Sequence, residues 1–314
     1  MSAVPQTTRA LLLGLALLAG PVAAEPMAWG VNSRGNLADD QLVNALYRID
    51  LATGATEHVG WTGALDVEGL ALDEAGTLWA LDDESNTLLT VNQSTGFALP
   101  VANQQTNTGI PLNQVMDFGM AFDCSGQLLA SSDFLRNLYS ADTETGMLTR
   151  IGEDGSLGAP ITDIAVRGDE IYGIGQGIDS EGNPDSPNLY RIDPADGTAE
   201  LVGPLGPAAS PYANAGLDFA ADGTLWAITD RRDGGNINLP SEILRIDTGT
   251  GQAVKVADAD LVGFESLAIS ATGECPSGGP IAASPIPTLS PIGLLALVLL
   301  SFVGGMWTLR ARRL

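Results

Sequence analysis

Carboxylates recur at one kind of place in this 314-residue chain. Asp66 and Glu68, Asp117, Asp163 and Glu265 each stand at or just before the start of an apolar segment, and five such segments run through the sequence. Acids gathered from separate segments can divide labour. Glycoside hydrolysis needs that division, because one carboxyl protonates the leaving oxygen while another serves as base or nucleophile. The plainer reading is that these acids solvate a channel. A second oxygen-rich stretch, Asp179-Ser-Glu-Gly-Asn-Pro-Asp185, places Asp179, Glu181, Asn183 and Asp185 at alternate positions around a glycine. Hard oxygen ligands of this kind suit Ca²⁺, although the EF-hand order of ligands is absent. No other cofactor is expected. Arg231-Arg232-Asp233 is a basic spot on an acidic body, placed either to meet a carboxylate ligand or to balance its neighbours.

What the chain lacks narrows the chemistry. It has one histidine, His58, and two cysteines, Cys124 and Cys275. That inventory excludes a Cys/His zinc cluster and makes any Ser-His-Asp triad depend on His58. No nucleophile lies near His58 in sequence, so it reads as structural or solvent-facing. The formal net charge is −24, and all 38 acidic residues lie between Glu25 and Glu274. Four of the 14 basic residues sit in the terminal segments, so the central part carries −28. Such a surface repels nucleic acid and anionic headgroups, and no nucleic-acid partner is expected.

The elements that must hold these acids are repeats. A hairpin of the form strand, tight turn, strand appears as LYRIDLATG at Leu46–Gly54 and LLTVNQSTG at Leu88–Gly96. It returns as LYSADTETG at Leu138–Gly146, LYRIDPADG at Leu189–Gly197 and ILRIDTGTG at Ile243–Gly251. Its Thr-Gly or Asp-Gly turn supplies the positive-φ residue that a tight hairpin needs. A different hairpin precedes it, seen in Leu70–Ala80, Met120–Ala130, Ile164–Gly173 and Leu217–Ala227. Together they make a four-stranded unit, A-B-C-D, whose A strands recur about every 50 residues, the size of a β-propeller blade. The array begins at strand B, Met27–Val31, and the missing strand A comes last, as Phe264–Ser270. A ring closed in this way has five blades and no free edge at its start. The tryptophans of strand B, Trp29, Trp79 and Trp226, read as packing between blades.

In that architecture the A–B and C–D turns are short and share one face. The B–C and D–A connections are long and share the other: 32–45, 102–116, 174–188, 204–214 and 228–242. Binding residues favour long loops on a rigid scaffold, so the long-connection face is the functional candidate. Cys124, in the A–B turn of blade 3, and Cys275, beyond the last strand, share the short-turn face. An oxidising location permits a disulfide between them, although blades 1 and 3 are not neighbours.

The two ends read as addresses. Arg9, the apolar run Ala10–Gly20 and the small residues Val22 and Ala24 predict a signal peptide over 1–24, cleaved after Ala24. After the domain at 25–274, residues 275–285 are a Pro/Ser/Gly linker. Residues 292–309 carry no charge and span roughly 27 Å as a helix, enough to cross a bilayer. Arg310, Arg312 and Arg313 then stay cytoplasmic and leave the rest outside. The segment Ile286-Pro287-Thr288-Leu289-Ser290 with Gly293, followed by this helix and basic tail, resembles the IPTL-CTERM sorting signal, a relative of the PEP-CTERM class of Gram-negative bacteria. Ile292 stands where that family usually has Trp. The resemblance implies an exosortase-type processing enzyme as partner, transient insertion in the inner membrane, and a periplasmic, cell-surface or extracellular destination. The repeats in turn resemble NHL-like, quinoprotein-like and lactonase-like propellers, as architecture and with no catalytic motif. The expectation is a surface-sorted, non-enzymatic binding module for a glycan, exopolysaccharide or protein. The alternatives are a secreted glycosidase or lactonase working through the channel carboxylates, with or without Ca²⁺, and a structural protein of the envelope or biofilm matrix.

Overall fold

The computed structural model describes residues 26–33, 43–112, 117–175, 187–231 and 239–269. They form an all-β ring of five blades. Blade 1 holds β1 (Met27–Asn32), β2 (Ala45–Asp50) and β3 (Thr56–Trp61), paired antiparallel in that order. Blade 2 holds β4 (Val67–Leu72), β5 (Leu78–Asp82), β6 (Thr87–Val91) and β7 (Ala98–Pro100). In blade 3 these are β8 (Phe118–Phe122), β9 (Leu128–Ser132), β10 (Asn137–Ala141) and β11 (Leu148–Ile151). Blade 4 runs through β12 (Ile161–Arg167), β13 (Glu170–Gly175), β14 (Asn188–Ile192) and β15 (Ala199–Pro204). Blade 5 is β16 (Tyr212–Phe219), β17 (Leu225–Arg231), β18 (Pro240–Ile246) and β19 (Ala253–Val262).

The closing strand arrives where the repeats place it. Ala268 exchanges both backbone hydrogen bonds with Trp29 at 2.8 and 2.9 Å, and Phe264 bridges Asn32. The Val31 N–H donates to the Ser266 hydroxyl at 3.1 Å. Blade 1 therefore takes its inner strand from the far end of the domain, which ties the two ends of the ring together.

Apolar burial lies between blades. One cluster joins blades 1 and 2 through Val31, Leu46, Val67 and Leu70, and the next joins blades 2 and 3 through Leu81, Leu88 and Phe118. Two more join blade 3 to 4 and blade 4 to 5. The fifth joins blade 5 back to blade 1 through Trp226, Ile243, Tyr47 and Phe264. Each strand therefore carries apolar residues on both of its faces. Leu189 of β14 packs towards blade 5, whereas Ile192 and Tyr190 pack towards blade 3. Trp79 meets Phe122 of the next blade edge-on at 6.1 Å, as an inter-blade residue should.

The C–D turns add a second layer of inter-blade contact. In each, an Asp or Asn carbonyl accepts the glycine N–H four residues on, at 2.7–2.8 Å, from Asp50–Gly54 to Asp247–Gly251. The glycine serves twice. Gly251 has φ +77°, and a Cβ there would fall 2.4 Å from the Gly203 carbonyl oxygen of blade 4. Gly96 meets Gly60 of blade 1 in the same way. The repeated Gly is thus the point where each turn docks on the preceding blade, a close approach that only a residue without Cβ allows.

Cys124 is disulfide-bonded, in the β8–β9 turn on the short-turn face. Cys275, the chain's other cysteine, lies outside the described residues, as do the signal segment and the sorting tail. Among the described residues, no helix is long and apolar enough to cross a membrane.

Candidate channel-mouth site

The inner strands β4, β8, β12, β16 and the closing segment stand side by side around the axis, and their N-terminal ends open on the long-connection face. Small residues let them approach. A Cβ on Gly119 would lie 2.3 Å from the Asp163 Cα, and one on Gly216 2.4 Å from the Leu267 nitrogen.

Blade 4 departs from this pattern in a telling way. Asp163 takes the place that Gly69, Gly119, Gly216 and Ser266 hold in the other inner strands. It is fully buried. Its Oδ1 accepts the Met120 N–H of blade 3 at 2.9 Å and its own neighbour Ile164 at 2.8 Å, and Oδ2 accepts the Leu217 N–H of blade 5 at 2.6 Å. Burial pushes its pKa well up, against three N–H donors that hold it down. Asp163 is therefore a staple across three inner strands and stands apart from the channel acids. Asp218 links blade 5 to the closing segment similarly, accepting Phe219 and Ile269 N–H groups at 2.7 and 2.6 Å.

The other four predicted acids do converge. Glu68 is the extra residue of a β-bulge between Val67 and Gly69 of β4. The closing segment also carries one extra residue between Phe264 and Ala268, and Glu265 falls there, at the position equivalent to Glu68. A bulge turns a side chain that the strand's alternation would otherwise bury between blades. Here it aims two glutamates at each other. Burial, first, and then the charges of Glu265, Asp117 and Asp66 hold the Glu68 carboxyl well above the usual range, and Glu265 hydrogen-bonds to it. The Asn214 amide of blade 5 donates to Glu68 Oε2 at 3.2 Å. Oxygens of Asp66, Glu68 and Asp83 lie within 4.8 Å of one another.

Asp83 and Asp133 belong to the same site, although neither is among the acids that the sequence nominates. They occupy the residue that follows strand B, five after Leu78 and Leu128, and Asp230 holds the same offset from Leu225. That recurrence across three blades was visible in LWALDD, LLASSD and LWAITD. Asp83 is 8% exposed; burial and then the charge of Asp66 push it up to about 9. Asp133 is pushed up to about 8 by burial and by Asp117 beside it. Carboxyls this close do not all ionise, so protons are shared across the group. Asp66 and Asp117, half-buried, are the members nearest to solvent.

The remaining candidates fall elsewhere. His58 is exposed on β3 with its ring edge-on to Tyr47 at 5.3 Å. Arg231, at the end of β17, faces the Glu242 carboxylate at 3.7 Å and Asp258 at 3.5 Å, so it balances neighbouring acids. The four loop oxygens Asp179, Glu181, Asn183 and Asp185 lie outside the described residues.

No protein family and no curated sequence matches this chain. Solved structures do. A virginiamycin B lyase from Staphylococcus aureus is 15% identical, with a TM-score of 0.40 over 68% of this chain and 63% of its own. A gluconolactonase from Xanthomonas campestris is 16% identical, with a TM-score of 0.39 over 72% and 70%. A hydrazine synthase from Kuenenia stuttgartiensis is 13% identical, with a TM-score of 0.38 over 69% and 60%. The chain spans less than two thirds of the first of these and of the third. At such values none of their chemistry transfers to this chain.

Proposed function

We propose that this chain is an exported, surface-sorted binding module that takes a saccharide ligand at the channel mouth of its long-connection face. The observation that carries the reading is the convergence there of carboxyls from blades 1, 2 and 3 with an amide from blade 5. Neutral and ionised carboxyls side by side offer both donors and acceptors, which is what vicinal hydroxyls need. A central charge of −28 directs the choice towards neutral or cationic glycans. Binding is favoured over hydrolysis because Glu68 and Glu265 are 5% and 2% exposed, which keeps a glycosidic oxygen away from them. The signal segment ending at Ala24 and the motif Ile286–Ser290 with Gly293 support export and processing by an exosortase-type transpeptidase.

One observation favours a hydrolase as the second reading. Asp133 is held near-neutral beside Asp117, the pairing that assigns an acid and a base in glycosidases. A glycan array probed with the full-length chain, run in parallel with chromogenic glycosides and lactones, separates the two. Retention without turnover, weakened at least about tenfold by Asp66→Asn with Asp117→Asn, is the expected result. Turnover abolished by Asp117→Asn would replace it with the hydrolase, and no retention of any saccharide would overturn it.

A further inference from the structure

We infer that Asp66, Glu68 and Asp83, with the side-chain oxygen of Asn214, form a binding site for one hard divalent cation, with Ca²⁺ preferred, at the mouth of the central channel. Three carboxylate oxygens no more than 4.8 Å apart can all reach one ion at about 2.3–2.6 Å after shifts of a few tenths of an ångström. The residues arrive from two directions on blade 2, before and within β4 and after β5, and from β16 of blade 5.

The crowding alone would be an acidic cluster. What points to a ligand is the state of the polar atoms inside it. Asp83 is 8% exposed, and its Oδ1 is shielded from solvent without a hydrogen-bond partner. Asn214, 5% exposed, has its amide nitrogen on Glu68 while its Oδ1, on the same amide, is buried and unpartnered. Leaving a buried polar oxygen unmatched costs free energy, and here one belongs to a member of the carboxylate trio and the other to the amide that hydrogen-bonds to Glu68. A cation satisfies both at once and removes the repulsion among the three acids.

The donor set selects the ion. All the donors are oxygens, three of them from carboxylates and one from a neutral amide, and His58 and Cys124 are engaged elsewhere. Zinc favours nitrogen and sulfur ligands. Mg²⁺ holds oxygens at about 2.0–2.1 Å in a strict octahedron, tighter than this spread of side chains provides. Ca²⁺ accepts a larger and less regular cage. None of these residues belongs to the stretch Asp179–Asp185, which the sequence alone nominates for the same ion.

The test uses the full-length chain, stripped with EDTA and titrated with CaCl₂ or MgCl₂ alone by calorimetry, with thermal melting alongside. One Ca²⁺ per chain, a rise in melting temperature and weaker binding of Mg²⁺ are expected. Asp83→Asn should weaken Ca²⁺ by at least about tenfold and abolish the melting shift, while melting in EDTA no lower than the wild type, since it removes a buried acid. That last reading shows the variant is folded. Asn214→Ala should weaken Ca²⁺ by a smaller factor. Absence of both heat and melting shift at millimolar Ca²⁺ would overturn the inference. So would binding that survives Asp83→Asn, or that is lost in Glu181→Gln with Asp185→Asn. Because the probe is the ion alone, none of these outcomes depends on a saccharide being found.

Discussion

At the tips of the C–D hairpins, Asp142 and Asp247 stand in water and accept backbone N–H groups: Glu144 and Thr145 on the first, Gly249 and Thr250 on the second. At the opposite end of the ring, Asp83 and Asp133 are buried among other acids. The same side chain is pushed in opposite directions. The N–H of Glu144 holds Asp142 below its ordinary range, and the Thr250 hydroxyl and N–H do so for Asp247. Burial lifts Asp83 to about 9 and Asp133 to about 8. The lesson is about placement. On the short-turn face an acid completes a turn and is finished; on the channel face Asp83 and Asp133 each keep one buried oxygen, Oδ1, without a hydrogen-bond partner. The repeated face is built for the ring, and the unrepeated one is built for something else.

The contrast between the two faces is open to direct test by substitution, reduction and pH. Asp163→Ala should have the largest effect, because it orphans the N–H groups of Met120, Ile164 and Leu217 in three inner strands. A loss of about 3 kcal/mol or more is expected in chemical denaturation. A loss below about 1 kcal/mol would remove its role as a staple. Reduction comes next. Intact-mass analysis should find no free thiol, and reductant should lower stability by roughly 2–4 kcal/mol. Detection of two free thiols would end the expected pairing of Cys124 with Cys275. Gly251→Ala should destabilise by roughly 1–3 kcal/mol, since it combines positive φ with a collision on blade 4; a neutral outcome would mean that the turn does not dock there.

Asp133 tests the channel face by pH. Its folded pKa is raised above the unfolded value, so folding retains a proton that the unfolded chain has lost. That contribution is complete below pH ~4 and disappears as pH rises through about 8. In EDTA, wild-type stability should therefore fall across that window, and Asp133→Asn should flatten part of the slope. An unchanged slope would separate Asp133 from the proton-sharing group. Asp247→Ala should have the smallest effect, and of opposite pH sign. The folded pKa of Asp247 is lowered, so its contribution is present above pH ~4 and vanishes in stronger acid. A thermal-melt difference that persisted unchanged at pH 2 would contradict this.

Much of the architecture was legible because it is periodic and local. LYRIDLATG and its four relatives carry strand alternation, turn chemistry and spacing within nine residues. The closing strand was legible because Phe264–Ser270 repeats the pattern of Val67–Asp73. The site was legible only in part. Asp66, Glu68, Asp117 and Glu265 announce themselves by position, yet nothing in their spacing separates them from Asp163, which does structural work. Asp83 and Asp133 carried a recurring offset that matters only once strand B is known to end beside the start of strand A. Asn214 carried no signal at all.

Strands, turns, blade number and closure can all be read from the residues alone, because each depends on side-chain alternation and turn residues a few positions apart. Tertiary structure decided which acids meet. Curling five inner strands around one axis brings residues such as Glu68 and Asn214, 146 positions apart, within hydrogen-bond distance. Two bulges then turn Glu68 and Glu265 towards each other, and burial sets which carboxyls keep a proton. Those are properties of the closed ring, and no single blade contains them.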